Sequence, residues 1–164
     1  MRRDYPLFIG PALTVLLLDQ VSKWLIINHL GVHQILSIIP GFFNLVLVKN
    51  RGMAFGILSQ TRSGFFYYFL LTTTIVAIGV IIFFFYWVKG NQRWLAVGLS
   101  LILGGAMGNL IDRVRFGYVI DFLDFLLKGY HWPAFNVADS AVTAGILWLF
   151  INIMKGKGLK EDEP

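Results

Sequence analysis

Acidic side chains are scarce in this sequence, and their placement is the best guide to its chemistry. Asp4 lies near one end and Glu161-Asp162-Glu163 at the other; between them stand five aspartates, Asp19, Asp112, Asp121, Asp124 and Asp139. Three have a cation within four residues. Asp19 precedes Lys23, and Asp124 precedes Lys128, in the order that favours a helical ion pair. Asp112 is followed by Arg113 and Arg115, which offset an acid at a helix C-terminus. Asp121 and Asp139 have no such neighbour, so they most need another explanation. Two carboxyls brought together in a partly dry site share a proton. One can then activate water while the other protonates a carbonyl or a leaving amine, which is the chemistry of an aspartic peptidase. Each has a plainer reading. Asp139, in Phe135-Asn136-Val137-Ala138-Asp139-Ser140, could cap a helix, and Asp121, in Val119-Ile120-Asp121-Phe122-Leu123-Asp124-Phe125, could be a loop acid in water.

Competing chemistries find less support. The absence of cysteine removes disulfides, thiolate metal sites and a thiol nucleophile. His29 and His33 have zinc-protease spacing, but Leu30 stands where that motif needs glutamate. His131 falls in a loop, and nothing resembles a nucleophile elbow. No metal or cofactor is therefore expected. The formal charge of +5 invites a nucleic-acid reading, but the basic residues flank apolar runs and fit contact with membrane lipids better.

The elements that must position these aspartates follow from composition. Of 164 residues, 57% are hydrophobic and 14% charged, and the mean hydropathy is +0.69. Soluble domains carry roughly a quarter charged residues, so lipid is the natural solvent here. A helix needs about 20 apolar residues to cross a bilayer, and four segments qualify, at about 7–27, 65–88, 94–111 and 137–154. Residues 1–164 read as one membrane domain. Arg2 and Arg3 before an apolar stretch resemble a signal peptide, but no small-residue cleavage site follows, favouring an uncleaved first span. Four spans put both termini on one face, with Arg2, Arg3, Lys89, Arg93, Lys155, Lys157 and Lys160. Lys49, Arg51, Arg62, Arg113, Arg115 and Lys128 lie on the other. The dense Lys89 and Arg93 turn tips the assignment toward cytoplasmic termini.

Residues 34–58 differ from the spans. Phe42-Phe43-Asn44-Leu45-Val46-Leu47-Val48 is rich in β-formers, and Asn50-Arg51-Gly52 reads as a turn. A small sheet at the membrane surface, between the first and second spans, is expected. Gly104 and Gly108 share a helical face and allow close helix packing. The overall expectation is an all-α membrane protein with four spans and a surface β-cradle.

These features together resemble the lipoprotein signal peptidase (signal peptidase II) family over nearly the whole chain. The matching elements are Asp19-Gln20-x-x-Lys23, Asn50-x-Gly52-x-Ala54-Phe55, Gly104-Gly105-x-x-Gly108-Asn109-x-x-Asp112-Arg113, Val119-x-Asp121-Phe122 and Phe135-Asn136-x-Ala138-Asp139. The resemblance implies a catalytic pair of Asp121 and Asp139. It implies a diacylglyceryl-modified bacterial prolipoprotein as substrate, cut just before its lipidated cysteine. It also implies an inner-membrane four-helix bundle with cytoplasmic termini, a site toward the periplasmic face, and binding of globomycin-type peptides. Asn50, Asn109, Asp112, Arg113 and Asn136 would support or line the site, although Arg113 could serve only to neutralise Asp112. Asp19 with Lys23 reads as a structural ion pair. A proton- or cation-conducting transporter, with Asp19 and Asp139 as relay carboxylates, is the rival class, but the internal repeats usual in transporters are missing. A structural membrane subunit would leave Asp121 and Asp139 unexplained.

Overall fold

The computed structural model describes residues 4–32, 34–52, 64–87 and 92–156. Expectations that rest on Arg2, Arg3, His33, Ala54, Phe55, Arg62, Lys89, Lys157, Lys160 or the acidic tail 161–163 lie outside the described residues. In chain order the elements are α1 (Tyr5–His29), β1 (Ile35–Ile39), β2 (Phe43–Asn50), α2 (Gly64–Trp87), α3 (Arg93–Phe116), β3 (Val119–Leu127), β4 (Tyr130–His131) and α4 (Val137–Met154). All four helices are long and apolar enough to cross a membrane.

Their faces explain their places. Residues of α2 are apolar almost all round, and only Leu70, Ile81 and Phe85 among them are buried, as suits a helix that presents most of its surface to lipid. By contrast α3 is half buried over its apolar window, because small residues let its neighbours close in. A methyl group on Gly104 would lie 2.6 Å from the Ala12 carbonyl oxygen of α1. Gly105 is covered in the same way by the Ala138 carbonyl of α4, and Gly145 of α4 by the Gly98 carbonyl of α3. Close backbone approach replaces the hydrophobic drive that lipid cannot supply.

The third span runs five residues beyond its expected end at Ile111, to Phe116, where Gly117 caps it in the left-handed region at φ 75°. Charge at Asp112 suggested the boundary. However, Asp112 is 1% exposed and turns into the bundle against Lys23 rather than out toward water, so nothing there stops the helix.

The surface sheet is antiparallel in the order β1-β2-β3-β4. Its first two strands come from the expected segment. The other two come from residues 119–131, between α3 and α4, where no strand is expected from the sequence. Pairing β2 with β3 sets Val48 opposite Asp121 and Asn50 opposite Val119. Asp121 therefore sits on a strand, held opposite Val48 of β2.

Candidate active site

Asp139 occupies the first turn of α4, with Asn136 as the N-cap. Asn136 Oδ1 accepts the Asp139 N–H at 2.9 Å, a bond that satisfies a free helix-start donor. An N–H can only donate, so the amide end of Asn136 must face the other way. There Nδ2 donates to Asp121 Oδ1 at 2.7 Å and to the Ile120 carbonyl at 3.2 Å. One asparagine thus touches α4 and β3 together and brings Asp121 and Asp139 within electrostatic reach. Capping is real, but Asn136 does it and leaves the Asp139 carboxyl free for other partners.

The two carboxyls have different surroundings. Asp121 is 2% exposed and takes a second donor, Asn50 Nδ2, at 2.9 Å. Asn50 itself is fixed by accepting the Gly52 N–H at 2.9 Å, an Asx turn within the expected Asn50-Arg51-Gly52 bend. Burial lifts the Asp121 carboxyl from 3.8 to about 7, and the charge of Asp139 adds to the lift; the Asn50 and Asn136 donors and the Lys23 charge oppose it. Asp139 is only half-buried and accepts Asn109 Nδ2 at 2.8 Å. One carboxyl is buried and its pKa raised; the other is only partly covered.

Beneath the pair lies a second polar layer. Lys23 Nζ is 2.8 Å from Asp19 Oδ2 and 2.8 Å from Asp112 Oδ2, and it donates to Asn109 Oδ1 at 3.1 Å. Gln20 Nε2 donates to Asp112 Oδ1 at 3.0 Å. Asp112 is thus paired with a lysine from α1, rather than with Arg113 or Arg115 beside it in sequence. Arg113 donates to the Asn109 carbonyl at 3.4 Å and feels the charges of Asp139, Asp121 and Asp112.

Asp124 corrects one expectation. The i to i+4 pairing with Lys128 presumes a helix, whereas Asp124 lies in β3 and Lys128 in the following turn, at φ 49°. Asp124 instead meets His131 Nδ1 at 2.9 Å and accepts Asn44 Nδ2 at 2.9 Å. It belongs to a separate cluster. Asn44 and His131 gave no usable signal in sequence, because both contacts exist only through strand pairing.

Four spans and a surface sheet enclosing carboxyls and amides define a multi-pass membrane protein with a buried polar site. A family model described as Signal peptidase (SPase) II matches residues 11–155. The lipoprotein signal peptidase of Syntrophus aciditrophicus (strain SB) is 42% identical over 155 residues, covering 94% of this chain and 96% of the relative. That of Syntrophotalea carbinolica is 47% identical over 140 residues, covering 85% and 86%. A solved structure described as "Bacterial membrane enzyme structure by the in meso method at 2.3 A resolution" has a TM-score of 0.83 and 33% identity, covering 99% of this chain and 96% of that one. The chain belongs to the signal peptidase II family of membrane proteases.

Proposed function

We propose that the protein is an aspartic endopeptidase that removes signal peptides from diacylglyceryl-modified bacterial prolipoproteins, cutting just before the lipidated cysteine, with Asp121 and Asp139 as its catalytic residues. The observation that carries this reading is the bridge made by Asn136, which accepts the Asp139 N–H and donates to Asp121. It ties two acids without sequence-local cations into one pair. The pair holds one proton. Its ionised carboxylate takes a proton from water as the water oxygen bonds to the scissile carbonyl carbon. The protonated carboxyl supports the carbonyl oxygen as charge develops there. The C–N bond then breaks as a proton passes to the leaving amine. One water and one peptide bond are consumed, and the carboxyls end as they began.

Asn50, Asn109, Asn136 and Arg113 hold the pair and the substrate backbone in this reading, and Asp112 anchors the layer below. The protein works in the bacterial inner membrane with both termini in the cytoplasm and the site facing the periplasm. Globomycin-type peptides occupy the same site. The test is to incubate purified, detergent-solubilised protein with a diacylglyceryl-modified prolipoprotein and weigh the products. A mature fragment beginning at the lipidated cysteine is expected, and its loss in Asp121→Asn and in Asp139→Asn. Loss of activity in chelator with recovery on adding zinc would refute a metal-free pair.

A further inference from the structure

An ammonium group has three N–H donors and no acceptor. Lys23 is 2% exposed, and its three close partners are oxygens of Asp19, Asp112 and Asn109. That fixes more than charge. A primary amide offers an oxygen at one end and donors at the other, and only the oxygen end can face an ammonium. Asn109 must therefore turn Nδ2 away from Lys23, and that Nδ2 donates to Asp139 Oδ1 at 2.8 Å. Asn136 Nδ2 also approaches Asn109 Oδ1, at 3.3 Å, but its two hydrogens have closer acceptors in Asp121 Oδ1 at 2.7 Å and the Ile120 carbonyl at 3.2 Å. The main constraint on the Asn109 amide is Lys23.

We infer that Lys23 is a positioning residue for the reaction: its donor-only ammonium sets the Asn109 amide, and the amide sets the Asp139 carboxyl. This rests on the reading of Asp139 as one of the catalytic pair. The carboxylates that balance Lys23 show why the cation sits where it does. Asp19 Oδ1 accepts the Ala138 N–H at 2.9 Å, one residue before Asp139, and Asp112 Oδ2 accepts the Ile120 N–H at 3.1 Å, one residue before Asp121. The Lys23 cluster therefore holds the backbone beside each acid, and through Asn109 it reaches one acid directly. What passes along this chain is orientation, not a proton.

Removing Lys23 alone would strand two buried carboxylates, so the test pairs Lys23→Gln with Asp112→Asn, which leaves the net charge of the cluster unchanged. Folding is checked by thermal unfolding, and kcat and KM are measured on the same preparations. The pair of changes is expected to lower kcat roughly ten- to a hundredfold, the worth of a hydrogen bond to a charged group, with KM within about twofold. In an Asn109→Ala background the same pair should cost far less, because its route to Asp139 is already gone. A purely structural lysine would lower the unfolding temperature and leave kcat per folded molecule unchanged, or cost the same factor in both backgrounds; either result overturns the inference. Should the paired variant fail to fold, Asn109→Asp decides. It keeps an oxygen to face Lys23 and replaces the N–H facing Asp139 with an oxygen that cannot donate to a carboxylate and brings a like charge, so wild-type kcat there refutes the proposal. Asp139→Asn separates the two failures: activity in that variant sinks the functional reading itself. An inactive Asp139→Asn beside a fully active Asn109→Asp sinks only the role of Lys23.

Discussion

Asn136 donates to Asp121 at 2.7 Å, tying the start of α4 to β3 through one amide. Its other end caps α4, so a single substitution perturbs helix and site together. Asn136→Ser separates the two effects, since serine is a good cap but cannot reach across as a donor. The unfolding temperature should stay close to wild type, while kcat falls by roughly ten- to a hundredfold. Asn136→Ala should lose the cap as well, about 1 kcal/mol of stability.

Acidity offers a second handle. The Asp121 carboxyl is lifted to about 7, so it keeps its proton up to neutrality. Cleavage should decline as pH rises through about 7, because a doubly ionised pair has no proton to give. Stability carries the same sign. The native state binds this proton more tightly than the unfolded state, so the contribution from Asp121 falls as pH climbs from about 4 to about 7. Unfolding scans at pH 5 and pH 8 should show wild type losing stability between them, and Asp121→Asn losing less.

Asp124 makes a control for the pair. It lies three residues from Asp121 and is equally hidden, at 5% exposed, yet its partners are His131 and Asn44. Asp124→Asn should keep most of the cleavage activity and lower the unfolding temperature. Its cost is that of a disturbed buried hydrogen-bond group, about 1–3 kcal/mol. A dead Asp124→Asn beside an active Asp121→Asn would invert the assignment.

Membrane orientation is tested without background, because the chain has no cysteine. Cysteine placed at Ser37 in β1 should react with an impermeant reagent from the periplasmic side, and at Gln92, before α3, from the cytoplasmic side. Reaction of both from one side would contradict the four-span arrangement.

Helix contacts yield a final comparison. Gly104→Ala sets a methyl group 2.6 Å from the Ala12 carbonyl and 2.8 Å from Val15 Cβ, and overpacking of this kind costs about 1–3 kcal/mol. Gly79 in α2 has nothing within 4 Å of such a methyl. Gly79→Ala should leave the unfolding temperature unchanged or raise it.

Local features were legible in the sequence to the extent that one stretch of chain creates them. The spans follow from apolar length alone, and β2 follows from its own β-branched and aromatic run. Asp121 and Asp139 stood out because local cations flank the other three acids, yet two of those three acids find their partners elsewhere. Asp112 reaches Lys23 in α1, and Asp124 reaches His131 through the β3–β4 turn. Strand β3 was hidden because Val119–Leu127 lacks apolar and polar alternation, being packed on both faces over its first four residues. The link from Lys23 to Asn109 spans 86 positions, and nothing in either neighbourhood announces it.

In the proposed reading, the pairing of β2 with β3 and the place of Asp139 on α4 also set when the site is complete during synthesis. A chain grown through α3 and β3 already contains Lys23, Asp19, Asp112 and Asp121, yet it lacks Asp139. It also lacks Asn136, the cap and bridge that ties the halves together. In the proposed reading the site is complete only when α4 packs on α3 and Asn136 joins the Asp139 turn to the Asp121 strand.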